Sequence, residues 1–117
     1  MFARLLQRLR RTEGPAWIET ADLRHRLRRS EIHMVIDVRS PEEFDGELGH
    51  IPGALNVPLA ALLGRIADLT RAGQPIGLVC LTDKRSSQAA AELAAAGIRD
   101  VVVLRGGMKA WREREGV

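Results

Sequence analysis

The chain has 117 residues, of which 45% are hydrophobic and 3% aromatic, with two Phe, two Trp and no Tyr. This is enough for one compact domain with an aliphatic core and too little for two domains. The lack of aromatic residues argues against a nucleic-acid module that stacks bases, and no apolar run approaches the roughly 18 residues of a membrane span. Arginines interrupt the apolar residues at the N-terminus, so the sequence predicts no secretion signal and a cytoplasmic protein.

The net charge of +3 comes from the N-terminal part of the chain. Residues 1–30 hold eight arginines and three acidic residues, a balance of +5, whereas residues 31–117 have a balance of −2. Residues 1–14 form a basic leader whose apolar positions predict a short amphipathic helix, with Phe2, Leu5, Leu6 and Leu9 at helical spacing. One interpretation is contact of residues 1–11 with anionic membrane or a partner. We favour the other, a helix that packs on the domain at 15–117 or frays.

Strand-like and helix-like stretches alternate after the leader. Trp17–Ile18 is predicted to be a short strand, and Thr20 the N-cap of a helix that ends near Arg29. The apolar run at 33–37 predicts a buried strand. The next helix has a complete start signature, with a serine cap, proline at the first position and glutamate at the third, in Ser40, Pro41 and Glu43.

The second half of the chain continues this alternation. Leucines and isoleucines at 59, 62, 63, 66 and 69 predict one face of a helix. The remaining predicted elements are a turn at 49–53, strands at 54–57, 76–80 and 101–104, an alanine-rich helix at 85–96 closed by Gly97, and a last helix after Gly106-Gly107 with Met108 and Trp111 on its inner side. Continuous apolar strands separated by helices predict an α/β fold, with a mostly parallel sheet of about five strands covered on both faces.

The chain has a single cysteine, Cys80, so it can form no internal disulfide and no cysteine-rich metal site. The three histidines, at 25, 33 and 50, lie too far apart in the sequence for a paired-ligand motif. We therefore expect no metal and no other cofactor.

Cys80 ends a predicted strand and is followed by a short turn and a helix. Ligands of open α/β sheets bind beyond the carboxyl ends of the strands. Backbone N–H groups and the positive end of the helix dipole favour the thiolate over the thiol there, and Lys84 and Arg85 add positive charge. The thiolate is the nucleophilic form. The alternative is that Cys80 is a small buried hydrophobic residue, which is the commonest state of a free cysteine.

Four segments of the chain resemble the motifs of the single-domain rhodaneses, in order and at suitable spacing. They are Ile36-Asp37-Val38-Arg39-Ser40-Pro41-Glu42-Glu43-Phe44, then Gly49-His50-Ile51-Pro52-Gly53-Ala54 with Asn56-Val57-Pro58, then Val79-Cys80 through Arg85-Ser86, and Leu104-Arg105-Gly106-Gly107-Met108-Lys109-Ala110-Trp111. The resemblance covers nearly the whole chain after residue 15 and implies the rhodanese fold.

The resemblance also implies a persulfide mechanism. Cys80 would take the outer sulfur of a donor such as thiosulfate and pass it to a thiophilic acceptor such as cyanide or a cellular thiol. The loop residues would hold the anionic group through their amides and the Arg85 side chain, with Leu81, Thr82, Asp83, Lys84 and Ser86 as its other members. Asp37 and Arg39 would support the loop through buried hydrogen bonds, and His50 would be a structural turn residue near the site.

The loop also carries two signals that separate this activity from its alternatives. Cys80 to Arg85 spans six residues, one fewer than in the related dual-specificity phosphatases, and the resemblance therefore favours sulfur over phosphate. Asp83, however, stands where many active rhodaneses have glycine, which can adopt a left-handed backbone. Its carboxylate either repels an anionic donor or points outward and pairs with Lys84 or Arg85. A catalytically weak rhodanese-like module that binds a partner or senses sulfane sulfur is the second interpretation.

Overall fold

The computed structural model describes residues 15–32, 34–65, 68 and 75–115. The predicted helix at 1–14 lies outside the described residues. The elements in chain order are β1 (Trp17–Ile18), α1 (Thr20–Arg28), β2 (Met34–Asp37), α2 (Pro41–Phe44), β3 (Leu55–Asn56), 3-10 turns at Leu59–Ala61 and Leu63–Arg65, β4 (Ile76–Val79), α3 (Lys84–Ala95), β5 (Val101–Leu104) and α4 (Gly107–Glu115).

The strands form one parallel sheet of five strands in the order β1-β5-β4-β2-β3, which confirms the predicted α/β fold. Asp37 at the end of β2 is in register with Val79 at the end of β4. Asp37 is therefore level with the residue that precedes Cys80, at the carboxyl edge where ligands of such sheets bind.

The core has two parts, one on each face of the sheet. The face that bears Ile36, Leu78 and Cys80 packs against α3, whose Ala89 and Leu93 are buried. The other face packs against α1 and α4, and its members include Val35, Val79, Leu23, Met108 and Trp111. Alternate strand residues supply the two parts because successive side chains point to opposite faces. No helix in the described part of the chain is long and apolar enough to cross a membrane.

Most predicted boundaries agree with the structure to within one or two residues. The start signature of α2 is confirmed as a capping box, because Ser40 Oγ accepts from the Glu43 N–H while the Glu43 carboxylate accepts from the Ser40 N–H. Gly97 follows α3 with a φ of +92°, as the C′ prediction requires.

Two predicted features are wrong. The N-cap of α1 is Glu19, without a side-chain cap bond, and the buried Thr20 is the first helical residue. Over residues 59–65 the predicted helical face is replaced by two 3-10 turns, and Leu63 is 55% exposed. The last two positions of that face, Ile66 and Leu69, lie outside the described residues. The Ala61 N–H bonds the carbonyl of Pro58, as a 3-10 turn requires, whereas the Leu59 N–H bonds the carbonyl of Val38. This tertiary bond competes with the local helical pattern at Leu59.

Candidate functional site

Cys80 lies immediately after β4, where the sheet gives way to the loop that leads into α3. It is buried, with only 1% of its surface exposed. Its Sγ is 3.3 Å from Ser86 Oγ and accepts a hydrogen bond from the Ser86 N–H at 3.4 Å. Ser86, in the first turn of α3, is itself fully buried. The sulfur is therefore held against the N-terminal end of a helix by a residue six positions further along the chain.

The loop at 81–83 and the first turn of α3 carry several backbone donors. Among the residues that the structure describes, we find no hydrogen-bond acceptor for the N–H groups of Leu81, Thr82, Asp83, Lys84 and Arg85. The first N–H groups of a helix lack partners within the helix and attract anions. These amides can therefore bind an anionic group next to the sulfur.

The carbonyl side of the same loop is fixed by the start of α4. The N–H of Met108 bonds the Cys80 carbonyl at 2.8 Å, and the N–H of Lys109 bonds the Leu81 carbonyl at 3.1 Å. Gly107, with a φ of +56°, packs so closely that a Cβ there would overlap the carbonyl oxygens of Thr82 and Cys80. The backbone at the start of α4 therefore packs directly against the backbone of the loop.

The Asp83 carboxylate has a partner other than the predicted Lys84 or Arg85. Its Oδ2 accepts a hydrogen bond from the Gly106 N–H at 2.9 Å, and it forms no ion pair with Lys84 or Arg85. The φ of Asp83 is −153°, so this loop does not use the left-handed backbone that glycine would provide. Lys84, which begins α3, is exposed.

Arg85 forms an ion pair across the site with Glu43 of α2. Its terminal nitrogens donate to both carboxylate oxygens, at 2.7 and 2.9 Å. These bonds hold the pKa of Glu43 at about 2, below its ordinary 4.5, and raise the pKa of Arg85. Arg85 is therefore charged and already bonded, and an anionic ligand would share it with Glu43.

A buried ion pair lies at the end of β2, and none of its hydrogen bonds within the described residues reaches the Cys80 loop. Arg39 donates to Asp37 Oδ1 from Nε at 2.9 Å and to Oδ2 from a terminal nitrogen at 2.7 Å, and both side chains are almost fully buried. Arg39 also donates to the carbonyls of Gly49 and Glu43, at 2.7 and 3.2 Å. The pair joins β2, α2 and the 49–53 turn.

His50 lies in that turn and is hydrogen-bonded to a residue six positions earlier in the chain. Its Nδ1 is 2.9 Å from the Phe44 carbonyl, and its ring stacks on the Phe44 ring with centroids 3.6 Å apart. The ring is thus anchored to the end of α2, an arrangement that a structural turn residue would have.

A groove of about 290 Å³ lies on another part of the surface, between α1, α4 and the 49–53 turn. Its lining consists of Arg24, Leu27, Arg28, Ile51, Pro52 and Trp111. No residue of the Cys80 loop lines it, so the groove is separate from the candidate site.

Sequence reasoning missed three contributors to this site: Glu43, Gly106 and Gly107. Glu43 is explained locally as a helix cap, and nothing in the local pattern indicates that it also pairs with a residue 42 positions away. The two adjacent glycines carry a signal, because a pair with positive φ at a helix start indicates close approach of another backbone segment.

Comparison with known proteins agrees with this architecture. The family model of the Rhodanese-like domain matches residues 19–114, so the chain belongs to the rhodanese-like family. The thiosulfate sulfurtransferase GlpE of Pseudomonas putida is 36% identical over 88 residues, covering 74% of this chain and 76% of GlpE. The solved structure of the human single-domain sulfurtransferase TSTD1 superposes with a TM-score of 0.73 at 26% identity, covering 86% of this chain and 98% of that one.

Other relatives are longer than this chain. YqhL of Bacillus subtilis is 43% identical over 77 residues, which cover 66% of this chain and 59% of YqhL. The chain spans 47% of a further relative, from Synechocystis. The matched region therefore makes up nearly all of TSTD1 but only about half of the longer relatives.

Proposed function

We propose that the protein is a sulfurtransferase that carries a sulfane sulfur on Cys80, from a donor such as thiosulfate to a thiophilic acceptor such as cyanide or a thiol. The observation that carries the proposal is the bond from the Ser86 N–H to Cys80 Sγ, next to loop amides for which the described residues offer no acceptor. Membership of a family with sulfurtransferase members, GlpE among them, supports the same chemistry.

The first step loads the cysteine. The Cys80 thiolate attacks the outer sulfur of thiosulfate, a new S–S bond forms, and sulfite leaves with the electrons of the broken S–S bond. The loaded sulfur would lie about 2 Å from Sγ, the length of an S–S bond. Its negative charge would be stabilised by the N–H groups of the loop that follows Cys80.

The second step unloads it. A nucleophile such as cyanide attacks the outer sulfur of the persulfide, the S–S bond breaks, and thiocyanate leaves while Cys80 returns as the thiolate. The chain contains no second cysteine that could intercept the persulfide, so the acceptor must be another molecule. Arg85, held by Glu43, supplies positive charge to the anionic donor and to the persulfide.

The test is turnover of thiosulfate and cyanide to thiocyanate. Wild-type protein should form thiocyanate and Cys80→Ser should form none, with both shown to be folded by circular dichroism. Ser87→Ala, one residue beyond the loop, is the matched control and should retain the wild-type rate. Turnover by Cys80→Ser would show that the sulfur passes through no cysteine and would contradict the proposal.

A second function is favoured by the burial of Cys80, of which only 1% of the surface is exposed. In this alternative the protein is a rhodanese-like module that binds a partner or senses sulfane sulfur and turns over little. Folded wild-type protein that forms no thiocyanate with thiosulfate or with an organic persulfide would favour the module. Steady turnover would exclude it as the main role.

A further inference from the structure

The N-cap of α3 is occupied by an acidic residue that does not cap the helix. Asp83 is the N-cap residue, and its side chain makes no hydrogen bond to the first turn of α3. An aspartate at this position ordinarily accepts from the second or third helical N–H, which stabilises the helix. In α3 those donors belong to Arg85 and Ser86.

The third helical N–H, that of Ser86, is the one bonded to the sulfur. The Ser86 N–H reaches Cys80 Sγ at 3.4 Å, so a capping carboxylate and the cysteine would compete for the same hydrogen. The Asp83 carboxylate instead bonds the Gly106 N–H at 2.9 Å, in the turn between β5 and α4. Gly106 has a φ of +78°, and a Cβ there would lie 2.7 Å from the Ala110 Cβ, so the turn that presents this N–H requires glycine.

We propose that Asp83 is a positioning residue for sulfur transfer, whose bond to the Gly106 N–H keeps its carboxylate away from the first turn of α3 and fixes the loop that holds Cys80. The inference rests on the proposed function. It also gives Asp83 a favourable role at a position where its charge alone would disfavour an anionic donor.

The backbone bonds from α4 support the same interpretation. Met108 and Lys109 fix the carbonyls of Cys80 and Leu81, at the start of the loop. Asp83 supplies the corresponding bond at the end of the loop. The loop is therefore attached to the β5–α4 segment at both ends, which holds its N–H groups in place for the anionic sulfur.

The experiment compares Asp83→Asn with Asp83→Ala. The two variants have the same charge, and they differ in whether a side-chain oxygen remains to accept from Gly106. Two quantities are measured in the full chain: the rate of sulfur loading from thiosulfate in a single turnover, and the exchange rate of the Gly106 amide hydrogen by NMR.

We expect Asp83→Asn to load at least as fast as wild type and to keep the Gly106 amide protected within about twofold. Asp83→Ala should load about tenfold more slowly than Asp83→Asn and exchange the Gly106 amide about tenfold faster, which is the effect of losing one hydrogen bond. The conservative variant thus restores what the alanine loses, which a general loss of charge would not do.

Equal loading by the two variants, or a Gly106 amide that exchanges equally in wild type and Asp83→Ala, would overturn the inference. Failure of the proposed function has a different signature. In that case wild type itself loads no sulfur, while the amide exchange of the variants still shows whether Asp83 holds Gly106.

Discussion

The carboxylate of Glu43 accepts hydrogen bonds from both terminal nitrogens of Arg85, at 2.7 and 2.9 Å, although the residues are 42 positions apart. Glu43 belongs to the capping box of α2, and Arg85 lies in the first turn of α3 beside Cys80. One glutamate therefore closes a helix end and orients the cation of the candidate site. The two sequence motifs that these residues come from are joined by this ion pair.

Glu43→Gln should lower the stability of the protein in a pH-dependent way. The pKa of Glu43 is lowered from 4.5 to about 2, so the ionised carboxylate stabilises the folded state fully above pH 4.5. That contribution is lost as the pH falls towards 2. About a third of each side chain is exposed, so the effect at neutral pH should be within about 1 kcal/mol.

The measurement is urea unfolding of wild type and Glu43→Gln between pH 2 and 7. Glutamine preserves the capping box, so the difference between the two proteins reports the ion pair. The difference in unfolding free energy should shrink as the pH falls below 4.5. A difference that stays constant down to pH 2 would contradict the assignment.

Asp37→Asn should destabilise the protein strongly. Asp37 and Arg39 form a buried pair, and removal of one partner leaves the other charge uncompensated, at a cost of about 3–5 kcal/mol. The matched control is Asp68→Asn, which breaks the exposed Arg65–Asp68 pair and should cost less than about 1 kcal/mol. Similar losses in the two variants, measured by urea unfolding, would show that the Asp37–Arg39 pair does not support the fold.

The helices and strands could be predicted from the sequence where neighbouring residues alone determine them. The capping box at Ser40 and the strands rich in β-branched residues, such as Val101–Leu104, are each predicted from residues only a few positions apart. The helical pattern that begins at Leu59 was wrong over residues 59–65, where the Leu59 N–H makes a tertiary hydrogen bond to the carbonyl of Val38. Periodicity contains no information about such bonds.

The candidate site was readable only in part. The position of Cys80 at a strand end follows from the order of the elements, and its contact with Ser86 spans only six positions of the chain. The partners of Arg85 and Asp83 are 42 and 23 positions away, whereas the sequence offered only the neighbouring Lys84 and Arg85 as partners of Asp83. The contacts with α2 and with the turn before α4 are long-range, and a local pattern contains no information about them.

Gly107→Ala should disturb the loop that holds Cys80. The added Cβ would overlap the carbonyl oxygens of Thr82 and Cys80, and the φ of +56° is unfavourable for alanine. We expect a loss of about 1–3 kcal/mol in stability and at least tenfold slower sulfur loading. Gly64→Ala is the control, because its Cβ would meet no atom within 4 Å. Equal activity in the two variants would contradict the close contact between Gly107 and the carbonyls of the loop.

Ser86→Ala should slow the loading of sulfur without unfolding the protein. The Ser86 hydroxyl is 3.3 Å from Cys80 Sγ and can donate to the thiolate, whereas the backbone N–H remains in the variant. Loss of one such donor should lower the single-turnover rate about tenfold, or about 1.4 kcal/mol of activation free energy. Ser87→Ala should retain the wild-type rate. An unchanged loading rate in Ser86→Ala would show that the Ser86 hydroxyl takes no part in sulfur loading.

The central claim is that a sulfane sulfur resides on Cys80, and intact-protein mass spectrometry tests it most directly. After treatment with thiosulfate and removal of excess donor, wild-type protein should gain about 32 Da, the mass of one sulfur atom. Cyanide should remove that mass, and Cys80→Ser should never acquire it. A folded wild-type protein that keeps its original mass, or a Cys80→Ser variant that gains about 32 Da, would contradict the account.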